Sequence, residues 1–232
     1  MRPLLHPPLA FAHRGGRAHA PDNTLEAFRK ALAAGSTALE SDVWVTADGV
    51  VVLDHDGVVP GLRRRRIEEV TRDQLPGHIP SLLELFESCG TDFDLALDLR
   101  DSGIGSAVAT EAEQVGHDPR RLWLVAADDW EAAADWKAAH AEVRVADSTR
   151  RRSWKEGAER RAANLAERNV DAINLHHTDW SAGLVTLFHR FGILCFAWDC
   201  QHDRVLASMA NMGLDGVFSD HVDRLAASFP GT

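Results

Sequence analysis

The 232-residue chain is 45% hydrophobic and 26% charged, a composition that favours a globular protein with a sizeable core and argues against disorder. Its formal net charge of −10 repels nucleic acid and anionic membranes, so an anionic ligand would need a local cationic site. Nothing approaches the roughly 20 apolar residues of a membrane span, and the proline-broken start lacks a signal-peptide core. Three sparse cysteines indicate reduced thiols. We expect a cytoplasmic protein with one domain over residues 1–232, no nucleic-acid partner and no integral membrane association.

Short apolar runs alternate with amphipathic segments of helical length along the chain, which is typical of parallel strands joined by crossover helices. The predicted strands are Leu9–His13, Ala38–Val45, Phe93–Leu99, Leu122–Ala126, Glu142–Ala146, Ala172–His176, Ile193–Trp198 and Gly216–Ser219. The predicted helices are Thr24–Ala34, Ser81–Ser88, Gly105–Val115, Trp130–Ala139, Trp154–Arg168, Ser181–Arg190, Asp203–Met212 and His221–Ala227. Because one helix follows each strand, the sequence predicts an α/β fold, a closed (β/α)8 TIM barrel rather than an open sheet.

One extra element follows the second predicted strand. Thr46–Gly49 is typical of a tight turn, and Val50–Leu53 reads as a strand that runs back along the second strand. The sequence therefore predicts a small hairpin that carries His55 to the end of the second strand.

Polar residues collect where the predicted strands end, and the carboxyl ends of the strands form the active face of such barrels. These residues are His13, Arg14, Glu40, Asp42, His55, Asp98, Arg100, His176, His177, Trp198, Asp199 and Asp220. Neighbours on a strand point to opposite faces, so only one of His176 and His177 is expected to face the mouth.

Glu40 and Asp42 are two residues apart, so on a strand their carboxylates point to the same face. Two carboxylates aimed together repel each other unless a cation lies between them. Oxygen ligands select Mg²⁺ or Ca²⁺, and Asp98 at the next strand end supplies a third. The alternative is a structural cluster in which these carboxylates pair with nearby arginines.

Histidine is the side chain best suited to proton transfer near neutral pH, and His13 and His55 follow two different strands. Two histidines that flank carboxylates favour an acid–base pair, although either one alone is more often structural. Arg14 offers a planar donor fork for phosphate oxygens.

Other conspicuous residues have a plainer first interpretation. The arginine runs 63–66 and 150–152 are expected to be solvated loops rather than polyanion sites. Trp198 is either an apolar wall for a substrate or part of the core. Asp22, Asn23 and Thr24 are typical of a helix start, so capping is the first role expected of them.

Taken in order, these motifs resemble the glycerophosphodiester phosphodiesterase family. The matching segments are His13–Gly15, Ala20–Thr24 with Ala27–Phe28, Leu39–Val43, Thr46–Gly49, Val51–Asp56, Phe196–Trp198 and Gly213–Asp220. The resemblance implies that Glu40 and Asp42 bind a metal, that His13 and His55 are the acid–base pair, and that Arg14 holds phosphate.

The chain departs from the family pattern at the third strand, where the family has Glu and Lys and this sequence has Asp98 and Arg100. The resemblance implies that Asp98 is a metal ligand and that Arg100, like Trp198, contacts substrate. It implies hydrolysis of small-molecule glycerophosphodiesters to glycerol 3-phosphate and an alcohol with one divalent cation, Mg²⁺ or Ca²⁺. Two alternatives stay open: a sphingomyelinase D-like phosphotransferase that makes cyclic phosphate from lysophospholipids, and a barrel that binds phosphodiesters without catalysis.

Overall fold

Eight parallel strands close into a barrel in the computed structural model, which describes residues 2–59 and 64–228. The barrel strands are β1 (Leu9–Ala12), β2 (Ala38–Val45), β6 (Asp94–Leu99), β7 (Leu122–Ala127), β8 (Arg144–Thr149), β9 (Ala172–His176), β10 (Leu194–Trp198) and β11 (Gly216–Ser219). Three short strands lie outside the barrel: β3 (Val51–Leu53), β4 (Val58–Val59) and β5 (Arg65–Arg66). The helices are α1 (Leu25–Ala33), α2 (Leu82–Cys89), α3 (Gly105–Gln114), α4 (Trp130–Ala139), α5 (Ala158–Glu167), α6 (Ala182–Arg190), α7 (Asp203–Met212) and α8 (Val222–Ser228).

Strand β1 closes the barrel because it pairs in parallel with both β11 and β2. The predicted TIM barrel is therefore confirmed. The predicted hairpin is also present, since β3 runs antiparallel to β2 with Val43 opposite Leu53. Within the described ranges, no helix is both long and apolar enough to cross a membrane.

The inside of the barrel is a packed core rather than a channel. Alternate strand residues fill it: Leu9, Phe11, Ala38, Ala96, Trp123, Val125, Ala146, Ala172, Phe196 and Phe218. Phe11 stacks on Phe218 with ring centroids 4.4 Å apart. Because strand residues two apart share a face, the next inward position on each strand stands above this core at the mouth.

The sequence predicts the fifth barrel strand at Glu142–Ala146, but the strand runs from Arg144 to Thr149. The sequence did not predict the polar end of this strand, because an aspartate such as Asp147 is rarely buried in a strand. In the structure two Arg161 nitrogens donate hydrogen bonds to Asp147 Oδ2 at 2.7 and 3.0 Å, which compensates the burial of its charge. The shift matters because it brings Ser148 to the mouth of the barrel.

The sequence predicts that the fifth helix begins at Trp154, but it begins at Ala158. Gly157 occupies the N-cap with extended backbone angles, and a 3-10 turn at Arg151–Ser153 precedes it. Glycine destabilises the interior of a helix because it loses the most backbone entropy there, so Gly157 marks the start of this helix.

The two arginine runs differ from each other. Arg63 lies outside the described residues, while Arg65 and Arg66 are exposed and Arg66 pairs with Glu68 at 3.1 Å, as expected of a solvated loop. The second run was predicted to be a solvated loop, and this is wrong for Arg150. Arg150 pairs with Asp179 at 2.8 Å and lies 5.4 Å from the centre of the Trp198 ring.

Candidate active site

A cavity of about 550 Å³ opens at the carboxyl ends of the barrel strands. Its lining comprises His13, Arg14, Arg17, Glu40, Asp98, Val125, Ser148, Asn174, Trp198, Asp199, Gln201, Phe218 and Asp220. Five of the eight residues predicted for the site line this cavity: His13, Arg14, Glu40, Asp98 and Trp198. The structure therefore brings residues from both ends of the chain to one pocket.

The turn between β1 and α1 positions His13 and Arg14. It is a 3-10 turn over His13–Gly15, in which Arg14 has a φ of 51° and Gly15 has a φ of 79°. A Cβ at Gly15 would lie 2.8 Å from the Cβ of Ala27, so only glycine lets α1 pack against this turn. The close packing fixes where the two side chains enter the pocket.

His13 lies between two carboxylates. Its Nδ1 is 2.6 Å from Asp220 Oδ1, and its Nε2 is 3.8 Å from Glu40 Oε2. Burial disfavours the charged imidazole, but the Glu40 charge and the Asp220 hydrogen bond outweigh it and raise the pKa of His13 above its ordinary value. Asp220 thus orients the ring and favours its protonated form.

The buried carboxyl groups of Glu40 and Asp98 both have raised pKa values. Burial is the main cause that raises the pKa of the Glu40 carboxyl, and burial likewise raises the pKa of Asp98 to about 6 despite the nearby Arg100. Among the described residues, no partner bonds the buried Oδ1 of Asp98. A buried carboxylate oxygen without a donor is costly, so Asp98 is a candidate ligand for a divalent cation.

Asp42 is arranged differently from the other two carboxylates. It is 2% exposed, its Oδ2 is 3.2 Å from Arg14 Nε, and its Oδ1 accepts a hydrogen bond from Arg100. The Asn23 amide also approaches Oδ2 at 3.4 Å. Asp42 therefore pairs with arginines, which is the alternative to metal binding that the sequence analysis left open.

Asn23 is a site residue that sequence reasoning assigned to capping. Thr24 caps α1 by accepting a hydrogen bond from Ala27 N at 3.2 Å, while Asn23 has a φ of 53° and turns inward. Its carbonyl oxygen accepts a hydrogen bond from Ser41 Oγ at 2.7 Å, beside the contact with Asp42. The motif Asp-Asn-Thr therefore combines a cap with a support for the carboxylate.

His55 lies on the loop after β3 and is not among the cavity-lining residues. Its side chain is 38% exposed, and its Nδ1 is 2.8 Å from Asp56 Oδ1. His13 therefore lies beside carboxylates in the pocket, whereas His55 lies outside the pocket lining.

The sequence analysis missed several residues that line the pocket, among them Ser148, Asn174 and Gln201. Ser148 and Asn174 stand two residues beyond the core residues Ala146 and Ala172, so the alternation of strand faces was a usable signal. Gln201 carried no such signal, because its role comes from tertiary contacts. Its Oε1 accepts hydrogen bonds from Asp220 N at 2.9 Å and Ser219 Oγ at 3.2 Å.

A TIM barrel whose mouth holds a histidine–carboxylate pair beside further buried acids presents the kind of groups that a hydrolase uses for proton transfer. Residues 13–81 match the glycerophosphoryl diester phosphodiesterase family. Together with the motifs and the fold, this match supports a relationship to the glycerophosphodiester phosphodiesterase family, whose members are phosphoric diester hydrolases that are generally metal-dependent.

Individual relatives resemble the chain in different ways. It is 54% identical over 50 residues to glycerophosphodiester phosphodiesterase 1 of Rattus norvegicus, which is 22% of this chain but only 15% of that relative's length. The glycerophosphodiester phosphodiesterase of Thermotoga maritima superposes with a TM-score of 0.82 at 21% identity, covering 94% of this chain and 97% of that one. An Oleispira antarctica phosphodiesterase, solved with its product sn-glycerol-3-phosphate, gives a TM-score of 0.78 at 22% identity over 97% of both chains. These likenesses in structure establish the fold.

Proposed function

We propose that this protein hydrolyses glycerophosphodiesters to glycerol 3-phosphate and an alcohol. The observation that carries the proposal is the pocket where His13, held by Asp220, lies 3.8 Å from Glu40 while Asp98 keeps a buried, unpaired oxygen. A proton-transfer group and an anionic cation site face one cavity, as cleavage of a phosphodiester requires. The product bound to the Oleispira antarctica relative supports the choice of substrate class.

Glu40, Asp98 and Asp42 would hold the divalent cation, Mg²⁺ or Ca²⁺, because hard cations prefer oxygen ligands. When bound, such a cation neutralises charge on the phosphate and stabilises the transition state. Glu40 and Asp98 are the better ligands, since Asp42 already faces both Arg14 and Arg100. The two arginines would hold phosphate oxygens at the same edge of the pocket.

His13 would donate or accept the proton at its Nε2, because Asp220 occupies Nδ1. His55 would be the second proton-transfer group, which requires its loop to turn its ring from Asp56 toward the pocket. Either water attacks phosphorus as the bond to the alcohol oxygen breaks, or a neighbouring hydroxyl of the substrate attacks first and water then opens the cyclic phosphate. The departing oxygen takes one proton, and the attacking group loses one. Trp198 would form an apolar side of the substrate pocket.

The test measures glycerol 3-phosphate released from a panel of glycerophosphodiesters with Mg²⁺, with Ca²⁺ and with chelator. We expect metal-dependent release that falls by about 10²- to 10⁴-fold in His13→Ala, because general acid–base catalysis contributes that much. His19→Ala is the matched control, since His19 also pairs with an aspartate (Asp223 at 2.8 Å) but lies outside the pocket lining.

Each alternative predicts a different result. A cyclic phosphate that accumulates from lysophospholipids, without ring opening, would indicate the sphingomyelinase D-like transferase. Binding of the substrates with no product at all would indicate a binding barrel. Release that is equal in His13→Ala and wild type would overturn the role proposed for His13.

A further inference from the structure

Two histidines and an aspartate meet at the far side of the barrel mouth. His176 ends β9, His177 begins the following 3-10 turn, and Asp199 follows β10. One ligand atom from each of the three lies within 4.8 Å of the other two. The sequence predicted that only one of the histidines would face the mouth, but the strand ends at His176, so the imidazoles stack with centroids 4.5 Å apart.

The contacts around these three residues orient them toward one another. His176 Nε2 is 3.1 Å from Asp199 Oδ2, and the Trp198 ring packs edge-on against His176 with centroids 4.5 Å apart. Gln201 Nε2 donates a hydrogen bond to Asp199 Oδ1 at 3.3 Å, so Oδ2 is the oxygen left to face the histidine. The His176 side chain is only 15% exposed, which limits its alternative rotamers.

Thr178 holds the His176 ring in one direction. Its Oγ1 lies 2.7 Å from His176 Nδ1, and its backbone N–H approaches the same nitrogen at 3.2 Å. The backbone N–H donates and Nδ1 accepts, so these contacts hold the His176 ring with Nε2 toward Asp199. Hydrogen bonds of this kind fix the tautomer and ring direction of ligating histidines.

Two other clusters of similar composition are weaker candidates. At His19, His221 and Asp223, the side chains of His19 and Asp223 are 43% and 61% exposed, so their mutual contact is open to solvent. At His189, Cys195 and Asp215, both Asp215 oxygens already accept backbone or imidazole hydrogen bonds.

We propose that His176, His177 and Asp199 form a second cation site, which takes a divalent transition metal such as Zn²⁺ or Co²⁺. Two imidazoles and one carboxylate favour such ions over Mg²⁺ and Ca²⁺, which prefer oxygen. The site is separate from the carboxylate site, because β9 and β10 lie three or four strands round the eight-stranded barrel from β2 and β6, which carry Glu40 and Asp98.

The two sites share one pocket. Asp199 and its neighbours Trp198 and Gln201 line the cavity that Glu40 and Asp98 line from the opposite wall. An ion on Asp199 therefore adds positive charge at the edge of a substrate pocket in a protein with a net charge of −10. We expect it to strengthen the binding of a second anionic group on the ligand.

The test is a Co²⁺ titration of the full chain, followed by its visible absorption, in buffer with saturating Mg²⁺ to occupy the oxygen site. We expect one equivalent of Co²⁺ with nitrogen-ligand absorption bands, and its displacement by Zn²⁺. His177→Ala is expected to weaken Co²⁺ binding by more than about 100-fold, and Thr178→Val by about 10-fold, as for loss of an outer hydrogen bond.

The control variants separate this site from the others. His19→Ala with His221→Ala, and separately Glu40→Gln, are expected to keep the absorption unchanged. The proposal is overturned if wild type gives no such bands, if His177→Ala keeps them, or if the His19 and His221 variant loses them. Circular dichroism in chelator verifies that each variant is folded, so a lost signal reports on the ligands. Because the readout is spectroscopic, it stands apart from glycerophosphodiester hydrolysis.

Discussion

His13 takes its chemical character from Asp220, a residue 207 positions away in the chain. Burial alone would lower the pKa of the imidazole, but Glu40 and the hydrogen bond with Asp220 raise it. Since the folded-state pKa is raised, the protonated ring stabilises the fold at low pH, and this contribution disappears as pH rises through that pKa. Asp220 is therefore a positioning residue that also sets the pH range in which His13 holds its proton.

Replacing Asp220 by asparagine tests this dependence. We expect Asp220→Asn to lower the pKa of His13, because the amide removes a negative charge and a strong acceptor, so the ring loses its proton at lower pH. NMR titration of the His13 ring in chelator measures this directly, and the matching limb of the pH–rate profile should move the same way.

The matched control is Asp223→Asn, because Asp223 pairs with His19 at 2.8 Å and does not contact His13. It should leave the His13 titration where it is in wild type. An unchanged His13 pKa in Asp220→Asn would mean that Asp220 only fills space beside the ring.

At the scale of elements, the junction between β1 and α1 shows why the residue after Arg14 must be glycine. Gly15 combines a φ of 79° with a Cβ position that lies 2.8 Å from the Cβ of Ala27. The backbone angle and the packing of α1 both require glycine, while the neighbouring residues His13 and Arg14 supply chemistry. Structure and chemistry are thus encoded in three consecutive residues.

Gly15→Ala is expected to destabilise the protein by about 2–4 kcal/mol, from backbone strain and from overpacking against α1. Denaturant unfolding measures this change in the free energy of unfolding. Gly116→Ala is the control, because Gly116 has a φ of 80° but no atom within 4 Å of the place that an alanine methyl group would take. Equal losses in the two variants would mean that the contact with Ala27 costs nothing.

At the scale of the whole molecule, Asp215 ties the amino-terminal segment to the end of the barrel opposite the active site. It is fully buried, and its Oδ1 accepts hydrogen bonds from the amides of Leu4 and Leu5. Its Oδ2 accepts hydrogen bonds from Cys195 N at 2.7 Å and His189 Nε2 at 2.8 Å. Because β1 follows this segment directly, Asp215 helps to position the strand that closes the barrel.

Asp215→Asn is expected to lower the free energy of unfolding by about 2–4 kcal/mol, because the amide nitrogen cannot accept and leaves buried donors unpaired. Chemical denaturation measures this loss. Asp92→Asn, at a fully exposed aspartate that pairs with Arg121, should cost less than about 0.5 kcal/mol. A comparably small loss at Asp215 would show that water replaces its hydrogen bonds.

The fold could be predicted largely from the sequence, because apolar periodicity and helix caps are local signals. Strands β2, β9 and β11 and helices α4 and α7 lie where the sequence predicted them. The fifth strand was misplaced because its buried Asp147 depends on Arg161, a partner that only the folded chain supplies. Prediction from local sequence patterns fails where an ion pair between distant residues stabilises a charged side chain in the protein interior.

The sequence by itself predicted the barrel and the resemblance to the glycerophosphodiester phosphodiesterase family, and it identified five residues that line the pocket. Only the tertiary structure decided the partners: Asp220 for His13, Arg14 and Arg100 for Asp42, and Asp56 for His55. It also brought His176, His177 and Asp199 together. The physical reason is that strand alternation fixes which face a residue occupies, whereas charge pairing depends on distances across the barrel mouth that no local pattern encodes.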